Sequence, residues 1–501
     1  MSNSKTLADW QALAHRIRIP GQAIIDGNAC DALSGKCFTP INPANGQPLG
    51  EVAECDAADV DVAVAAARRA FADRRWAGMA PGQRKRIMQR WAALIDEHTD
   101  ELALLETLNM GKPISDSLSV DVPATSRCIA WYGEAIDKIY DEIAPTASNA
   151  LATITREPVG VVAVVVPWNF PMIMAAWKLG PALAAGNSVV LKPAEQSPLT
   201  AIRLAELALE AGIPAGVLNV LPGFGPTAGK ALGLHMDVDA LAFTGSTDVG
   251  KLFMQYAGQS NLKKVGLECG GKSPHIILDD CEDLDAAATA AAWGIFFNQG
   301  EMCTAGSRLI VHEKVYDRVL AKIAEVAATL QPGDPLDPAT SLGALVEHKH
   351  MERVLDYIRI GQEEGATLYL GGQQVRQDTG GAFVQPTVFS DVNNRMRIAQ
   401  EEIFGPVLAA IRVKDADEAL QVANDVCYGL GAAVWTSNIN TAHRISRGLR
   451  AGVVYVNCYD ADDITVPFGG YKQSGIGRDK SLHAFDKYTE LKTTWIRLTG
   501  C

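Results

Sequence analysis

The chain of 501 residues has no pair of cysteines at CxxC spacing and no histidine cluster beside any of its ten cysteines. That argues against a zinc site or a redox dithiol, and no metal is expected. Ten cysteines are too sparse for a disulfide scaffold in a chain of this size, so a reducing, cytoplasmic setting is expected. No apolar run reaches the roughly 20 residues that cross a bilayer. The longest, PVGVVAVVVPW and AAATAAAWGIFF, read as a buried strand and a buried helix. The opening stretch, MSNSKTLADWQALAHRIRIP, lacks the apolar centre of a signal peptide. Basic residues are outnumbered, for a net charge of −13. An acidic surface repels nucleic acid and anionic membrane, and neither is expected as a partner. Internal repeats and low-complexity segments are missing too.

What is present is the balance of a soluble globular enzyme, 48% apolar and 21% charged. The length suggests two or three domains. Residues 56–110 carry apolar residues at three- and four-residue spacing and read as helices. From 160 onward short β-branched runs alternate with helical stretches: 161–167, 188–193, 217–223, 240–246 and 263–268. The helix at 198–211 is expected to start on Ser197 as N-cap with Pro198 at N1 and to end at Gly212. Apolar strands linked by helices predict a doubly wound parallel sheet, so the fold class is α/β. A second α/β pattern runs from about 270 to 470, with PHIIL and SRLIVH as strands. TITREPVG (153–160) and KYTELKTTWIRL read as extended strands outside either core. They suggest either an arm that pairs with another subunit or a small local hairpin.

Chemistry concentrates on Cys303, in FFNQGEMCTAGSR, and Glu268, in GLECGGK. Glycines flank both, leaving room for close approach of a ligand. A thiol with a separate carboxylate base suits covalent acyl chemistry, although a lone cysteine ordinarily packs as an inert small hydrophobe. LPGFGPTAG places Gly223, Gly225 and Gly229 after a strand, spaced GxGxxxG and not as the usual dinucleotide GxGxxG. Gly245 and Ser246 stand where a helix N-terminus would favour a phosphate, unless Ser246 is a plain N-cap. Lys192 and Glu195 stand at the carboxyl end of a strand, the ligand-bearing edge of such sheets.

Seven motifs in order, PWNFP (167–171), KPAE (192–195), FTGS (243–246), GLECGGK (266–272), NQGEMCTAGSR (298–308), EEIFGPV (401–407) and PFGGYKQSG (467–475), together resemble the NAD(P)-dependent aldehyde dehydrogenase superfamily over nearly the whole chain. The resemblance implies a Rossmann-type cofactor domain (1–138 and 160–269), a catalytic domain (270–470) and a β oligomerisation arm (139–159 and 487–501) that makes a homodimer or homotetramer. It implies Cys303 as nucleophile, Glu268 as the base for the hydrolytic water, Asn169 with the Cys303 N–H as oxyanion hole, and Lys178 as a proton relay. For NAD, with NADP weaker, it implies Val166, Pro167, Trp168, Lys192, Glu195, Gly225, Gly229, Phe243, Thr244, Gly245, Ser246, Val249, Cys269, His350, Glu402 and Phe404. For the aldehyde it implies Phe170, Trp177, Met302, Asp460, Asp462 and Phe468. Two residues depart from the pattern: Cys269 stands where the family usually has leucine, and Asp479 where many members have glutamate as the partner of Lys178.

The segment from Asp463 to Thr493 further resembles the γ-glutamyl-γ-aminobutyraldehyde dehydrogenases of polyamine breakdown. Asp460, Asp462 and Asp463 would crowd a tunnel mouth with negative charge and attract amino-bearing aldehydes. A solvated acidic loop is the plain alternative. The expected reaction is NAD-dependent oxidation of an ω-amino or γ-glutamylamino aldehyde to its acid through a Cys303 thioester. A broad aliphatic or betaine-type enzyme, an acylating CoA-dependent enzyme and a retired structural homologue are the rivals.

Overall fold

The computed structural model describes residues 5–499, so Gly500 and Cys501, the end of the expected arm, lie outside the described residues. Its largest sheet is built on Val161–Val165, Ser188–Lys192, Leu218–Val220, Ala240–Gly245 and Lys264–Cys269, which run parallel. The order across the sheet is Leu218–Val220, Ser188–Lys192, Val161–Val165, Ala240–Gly245, Lys264–Cys269. The chain therefore winds outward in one direction from Val161–Val165 and then returns to its other side. Both neighbours of the switch end in the motif segments, Val166–Asn169 and Ser246. The β-branched run stays extended because valine packs well on both faces of a buried strand, and all five residues of Val161–Val165 are buried. The edges are antiparallel: Ala23–Ile25 with Asn28–Cys30 on one side, Gly475–Ile476 on the other. Residues 475–476 thus return to this first sheet beyond the second α/β segment.

The second sheet has seven strands, all parallel except Thr367–Leu370 at one edge. Pro274–Ile277 and Arg308–His312 sit at its centre. A third, three-stranded sheet joins Thr489–Arg497 to Ala150–Pro158 and Glu142–Ala144. Thr489 pairs with Pro158 and Arg497 with Ala150, antiparallel throughout. The two extended segments therefore pair with each other inside one chain, leaving Leu491 and Trp495 exposed.

Two local expectations are corrected. The helical run over 81–110 breaks at His98, whose φ of −103° and ψ of 23° leave helical geometry, giving Pro81–Glu97 and Thr99–Met110. Asp100 and Glu101 fall in the second helix's first turn, where negative charge is favoured. Ser197 does not cap the helix Leu199–Ala211. Pro198 takes the N-cap position, Ser197 Oγ is buried without a partner, and the Leu199 N–H donates 3.0 Å to Asn109 Oδ1. The close packing of Thr99–Met110 lets a side chain from another helix do the capping. The C-terminal expectation holds: Gly212 adopts φ of 102°, which glycine takes without strain.

Candidate active site

A cavity of about 700 Å³ opens at the switch point of the first sheet and reaches Cys303. Pro167, Trp168, Asn169, Phe170, Thr244, Gly245, Ser246, Glu268, Cys269, Cys303, His350, Glu402 and Phe404 all line it. These segments lie more than two hundred residues apart at the extremes and converge because parallel strands deliver their carboxyl ends to one edge.

Cys303 is positioned by a backbone that only close packing holds. Asn298, Gln299 and Gly300 are consecutively left-handed, with φ of 48°, 58° and 73°. A side chain at Gly300 would strike the Gly405 carbonyl, so glycine is required there. Asn169 Nδ2 donates to the Glu301 carbonyl at 2.8 Å, and Asn298 Nδ2 donates to the Asn169 and Glu301 carbonyls at 3.2 and 3.1 Å. One Asn169 amide hydrogen is thereby used and the second is left for another acceptor. Burial, then the charges of Glu268, Glu402 and Asp460, push the Cys303 thiol well above its ordinary range.

Glu268 is the candidate base for a water molecule. It lies in the buried end of the strand Lys264–Cys269, and its Oε1 is buried with no hydrogen-bond partner. Burial, and secondarily Asp479, push it up to about 8, against the pull of Lys178, Lys487 and Arg478. Cys269 faces the other side of the strand, towards Gly250 on the helix Thr247–Gln259. Burial, then the Glu268 charge, push its thiol up to about 12, so it is a poor nucleophile.

Lys178 donates to Asp479, and Lys487 donates to that residue's other oxygen. The shorter aspartate therefore does reach Lys178. Asp479 is drawn in by backbone bonds with Phe468 on both sides, at 2.7 and 2.8 Å.

On the cofactor side, Ser246 is the N-cap of Thr247–Gln259, and its Oγ accepts the Val249 N–H at 3.4 Å. The plain N-cap reading is thus also true, and the helix dipole and backbone N–H groups are what this end offers an anion. Thr244 Oγ1 is buried in the cavity wall without a partner. Trp168, His350 and Phe404 form an aromatic cluster, with Trp168 5.2 Å from each of the other two rings. His350 Nε2 lies 2.6 Å from the Phe404 carbonyl. Glu402 accepts the Gly271 N–H at 2.9 Å, and a side chain at Gly270 would collide with its carboxylate. Lys192 bonds Glu195 at 3.0 Å. Glu195 lines an adjoining hollow of about 370 Å³ with Phe224. Val166, Lys192, Gly225, Gly229, Phe243 and Val249 do not line the main cavity. Phe243 turns inward against Phe253, 5.0 Å away, and Val249 is exposed. The donors, the anion-favouring helix end and the switch-point location fit a dinucleotide.

Outside the lining of the main cavity, Trp177 and Phe468 meet edge to face at 5.0 Å, and Met302 is half-buried. Of the expected aldehyde contacts only Phe170 reaches the main cavity. The expected triple carboxylate is corrected. Asp462 is bound by Lys480, and Asp463 accepts the Thr465 N–H and hydroxyl at 2.8 and 2.6 Å. Asp460 alone is uncommitted. Its crowded surroundings, and then Asp462, push it up to about 7, although the residue keeps access to solvent.

Residues with no sequence signal complete the site. Lys112 is buried against Asp121 at 2.7 Å and stands 4.0 Å from the Phe170 ring centre. Tyr459 donates to the Thr304 carbonyl and stacks 4.7 Å from His275. For Lys487 there was one clue, Gly266 inside a strand, since interior glycine marks close approach of another group.

The aldehyde dehydrogenase family model matches residues 31–494. The NADP/NAD-dependent aldehyde dehydrogenase PuuC of Escherichia coli (strain K12) is 52% identical over 496 residues, covering 99% of both chains. The solved structure of a mutant of P. syringae AldA indole-3-acetaldehyde dehydrogenase, in complex with NAD+ and IAA, is 60% identical. It covers 99% of this chain and 100% of its own, with a TM-score of 0.98. The γ-glutamyl-γ-aminobutyraldehyde dehydrogenase of Burkholderia cenocepacia J2315 is also 60% identical, with the same coverage and a TM-score of 0.97.

Proposed function

Because the chain belongs to the aldehyde dehydrogenase family, we propose that it oxidises an aldehyde to the carboxylic acid through a thioester on Cys303, with NAD as hydride acceptor. The observation that carries this reading is the shared cavity: a half-buried thiol and an unpartnered buried carboxyl face the same space as an open helix N-terminus. The Cys303 thiolate, its proton given up to water, attacks the aldehyde carbon. The free Asn169 amide hydrogen and the Cys303 N–H steady the oxyanion, a contribution of about 3–4 kcal/mol for one such donor elsewhere. The bound dinucleotide supplies hydride acceptance. Its pyrophosphate is assigned to Ser246 and the helix end, its ribose hydroxyls to Lys192 and Glu195, and its nicotinamide half to Glu402 and Phe404. Glu268 then takes a proton from water, which opens the thioester. We divide the chain into a cofactor domain, a catalytic domain and a β arm as expected above, with 475–476 joined to the first sheet. The exposed Leu491 and Trp495 support the arm as the contact between subunits.

For the substrate we propose ω-amino and γ-glutamylamino aldehydes. The γ-glutamyl-γ-aminobutyraldehyde dehydrogenase relative favours this class, and Asp460 supports it as a carboxylate that a cationic chain would draw into its ionised form. Phe170, Trp177 and Phe468 would wall the methylene stem. The aromatic walls, and the equal identity to an indole-3-acetaldehyde dehydrogenase, favour aryl acetaldehydes as the second reading. The test is kcat/KM with NAD for 4-aminobutanal, γ-glutamylaminobutanal, indole-3-acetaldehyde and hexanal. A tenfold or greater preference for the amino aldehydes supports the first reading, and the reverse order discards it.

A further inference from the structure

An amino aldehyde is held at two points, its carbonyl carbon at Cys303 and its cationic end at Asp460, and the span between them decides which chain lengths fit. We propose that Tyr459 sets this span, by tying the loop that carries Asp460 to the segment that carries Cys303, and so makes the enzyme select amino aldehydes by length. This rests on the reading of Asp460 as the group that meets the amino end.

The two points come from separate strands of the second sheet. Asp460 follows the edge strand Val453–Val456, and Cys303 precedes the central strand Arg308–His312. Gly431–Trp435 and Pro274–Ile277 lie between them. Tyr459 crosses that gap. Its hydroxyl donates to the carbonyl of Thr304, the residue after Cys303. Its ring lies on His275, with centres 4.7 Å apart and planes 24° from parallel. His275 is fully buried and accepts the Trp435 Nε1–H at 2.8 Å, with those two rings 5° from parallel. Burial pushes the His275 imidazole down to about 3, so the platform under Tyr459 stays uncharged.

Two glycines shape the slot for the ring. A Cβ on Gly294 would come within 2.8 Å of Tyr459 Cδ1, and one on Gly306 within 3.1 Å of the hydroxyl. The Gly306 N–H donates to the Gly294 carbonyl at 2.8 Å, which holds the two walls together. The loop is pinned at a second place by Asn457, which accepts the Thr436 N–H and donates to the Thr436 carbonyl, each at 3.0 Å. Asn457 and Asp460 are both left-handed, with φ of 54°. A residue other than glycine keeps that conformation only where its surroundings impose it. Asp460 is thus aimed by its neighbours on the loop, and its charge reaches the Cys303 thiol. Of the two pins, only the Tyr459 hydroxyl joins the loop to the nucleophile's own segment. Without it the ring can stay stacked on His275 while the two segments move independently.

The experiment compares Tyr459→Phe, Asp460→Asn and the double variant with the unaltered enzyme, in steady-state assays with NAD. The substrates are hexanal and the ω-amino aldehydes of three to six carbons. Phenylalanine keeps the stack and removes only the tie. The ratio of KM for 4-aminobutanal to KM for hexanal should rise at least about threefold in Tyr459→Phe, within the range that one hydrogen bond contributes. kcat should change by the same factor for both substrates. In the Asp460→Asn background the same replacement should leave the ratio unchanged, because the carboxylate that the tie positions is gone. A smaller rise overturns the proposal, as does an equal rise in both backgrounds, which a general loosening of the fold would give. If Asp460→Asn itself leaves the ratio unaltered, the reading of Asp460 is rejected and the proposal with it. If Asp460→Asn raises the ratio and Tyr459→Phe does not, the proposal alone falls. Should Tyr459→Phe not fold, the chain-length series on the unaltered enzyme decides. One maximum in kcat/KM is expected, falling at least about threefold for each carbon away from it, and a flatter series overturns the fixed span.

Discussion

Replacing Glu268 by glutamine tests the base assignment on two independent scales. In the unaltered protein the buried carboxyl sits at about 8, pushed up mainly by burial. About one-tenth is then ionised at pH 7 and about nine-tenths at pH 9, so the rate of thioester hydrolysis should rise about tenfold across that interval. Glutamine cannot take the water's proton, and loss of a positioned base typically costs 10²–10⁴-fold. The variant should release a burst of NADH and then nearly stop at every pH. Stability moves in a direction that follows from the same shift. Between 4.5 and about 8 the folded protein holds a proton on Glu268 that the unfolded chain has lost, so this residue makes stability fall as pH rises. At about 1.4 kcal/mol per pKa unit, the ionised group costs about 5 kcal/mol at pH 9 and almost nothing at pH 4. Glu268→Gln should therefore melt at higher temperature than the unaltered protein at pH 9, with the gap closing at pH 5. Differential scanning fluorimetry across pH reads this directly. A steady rate flat between pH 7 and 9, together with a variant that turns over linearly, refutes the reasoning.

Asp460→Asn should raise KM for 4-aminobutanal several-fold and leave hexanal unchanged. In the unaltered enzyme, KM for the amino aldehyde alone should fall as pH rises through about 7; equal responses of both substrates in steady-state assays count against charge selection. Asp462→Asn, already neutralised by Lys480, should discriminate less. Glu195→Gln should raise kcat/KM for NADP several-fold and change NAD less. A like-charge pair at about 4 Å costs up to about 4 kcal/mol before screening, and Lys192 offsets part of it; an unchanged NADP/NAD ratio would contradict the ribose assignment. Deleting residues 488–501 should give monomers or aggregates by light scattering, and an unchanged oligomer mass would remove the arm from the subunit contact.

Legibility followed the range of the forces involved. Val161–Val165 was readable as a strand because an unbroken β-branched run has one good conformation when buried on both faces. Gly212 was readable as a helix end because the left-handed cap is a local property of glycine. Cys303 and Glu268 stood out through their flanking glycines, which mark close approach whatever the distant packing. The failures are long-range. His98 breaks a helix that periodicity continues across, and Asn109 caps a helix ninety residues away in place of Ser197. The acidic loop looked threefold charged because nothing in its own stretch reveals that Lys480 turns to Asp462 while Asp463 turns to Thr465. Lys487 gave only the clue of Gly266, since its place also depends on Gly477, in a segment two hundred residues away.

The most direct measurement is intact-mass and peptide mass spectrometry of Glu268→Gln after brief incubation with NAD and 4-aminobutanal, alongside Cys303→Ala. One acyl group should be found on the peptide carrying Cys303, while Cys303→Ala should bind NAD, form no NADH and carry no adduct. An adduct on another residue, or substantial turnover by Cys303→Ala, would contradict the thioester account.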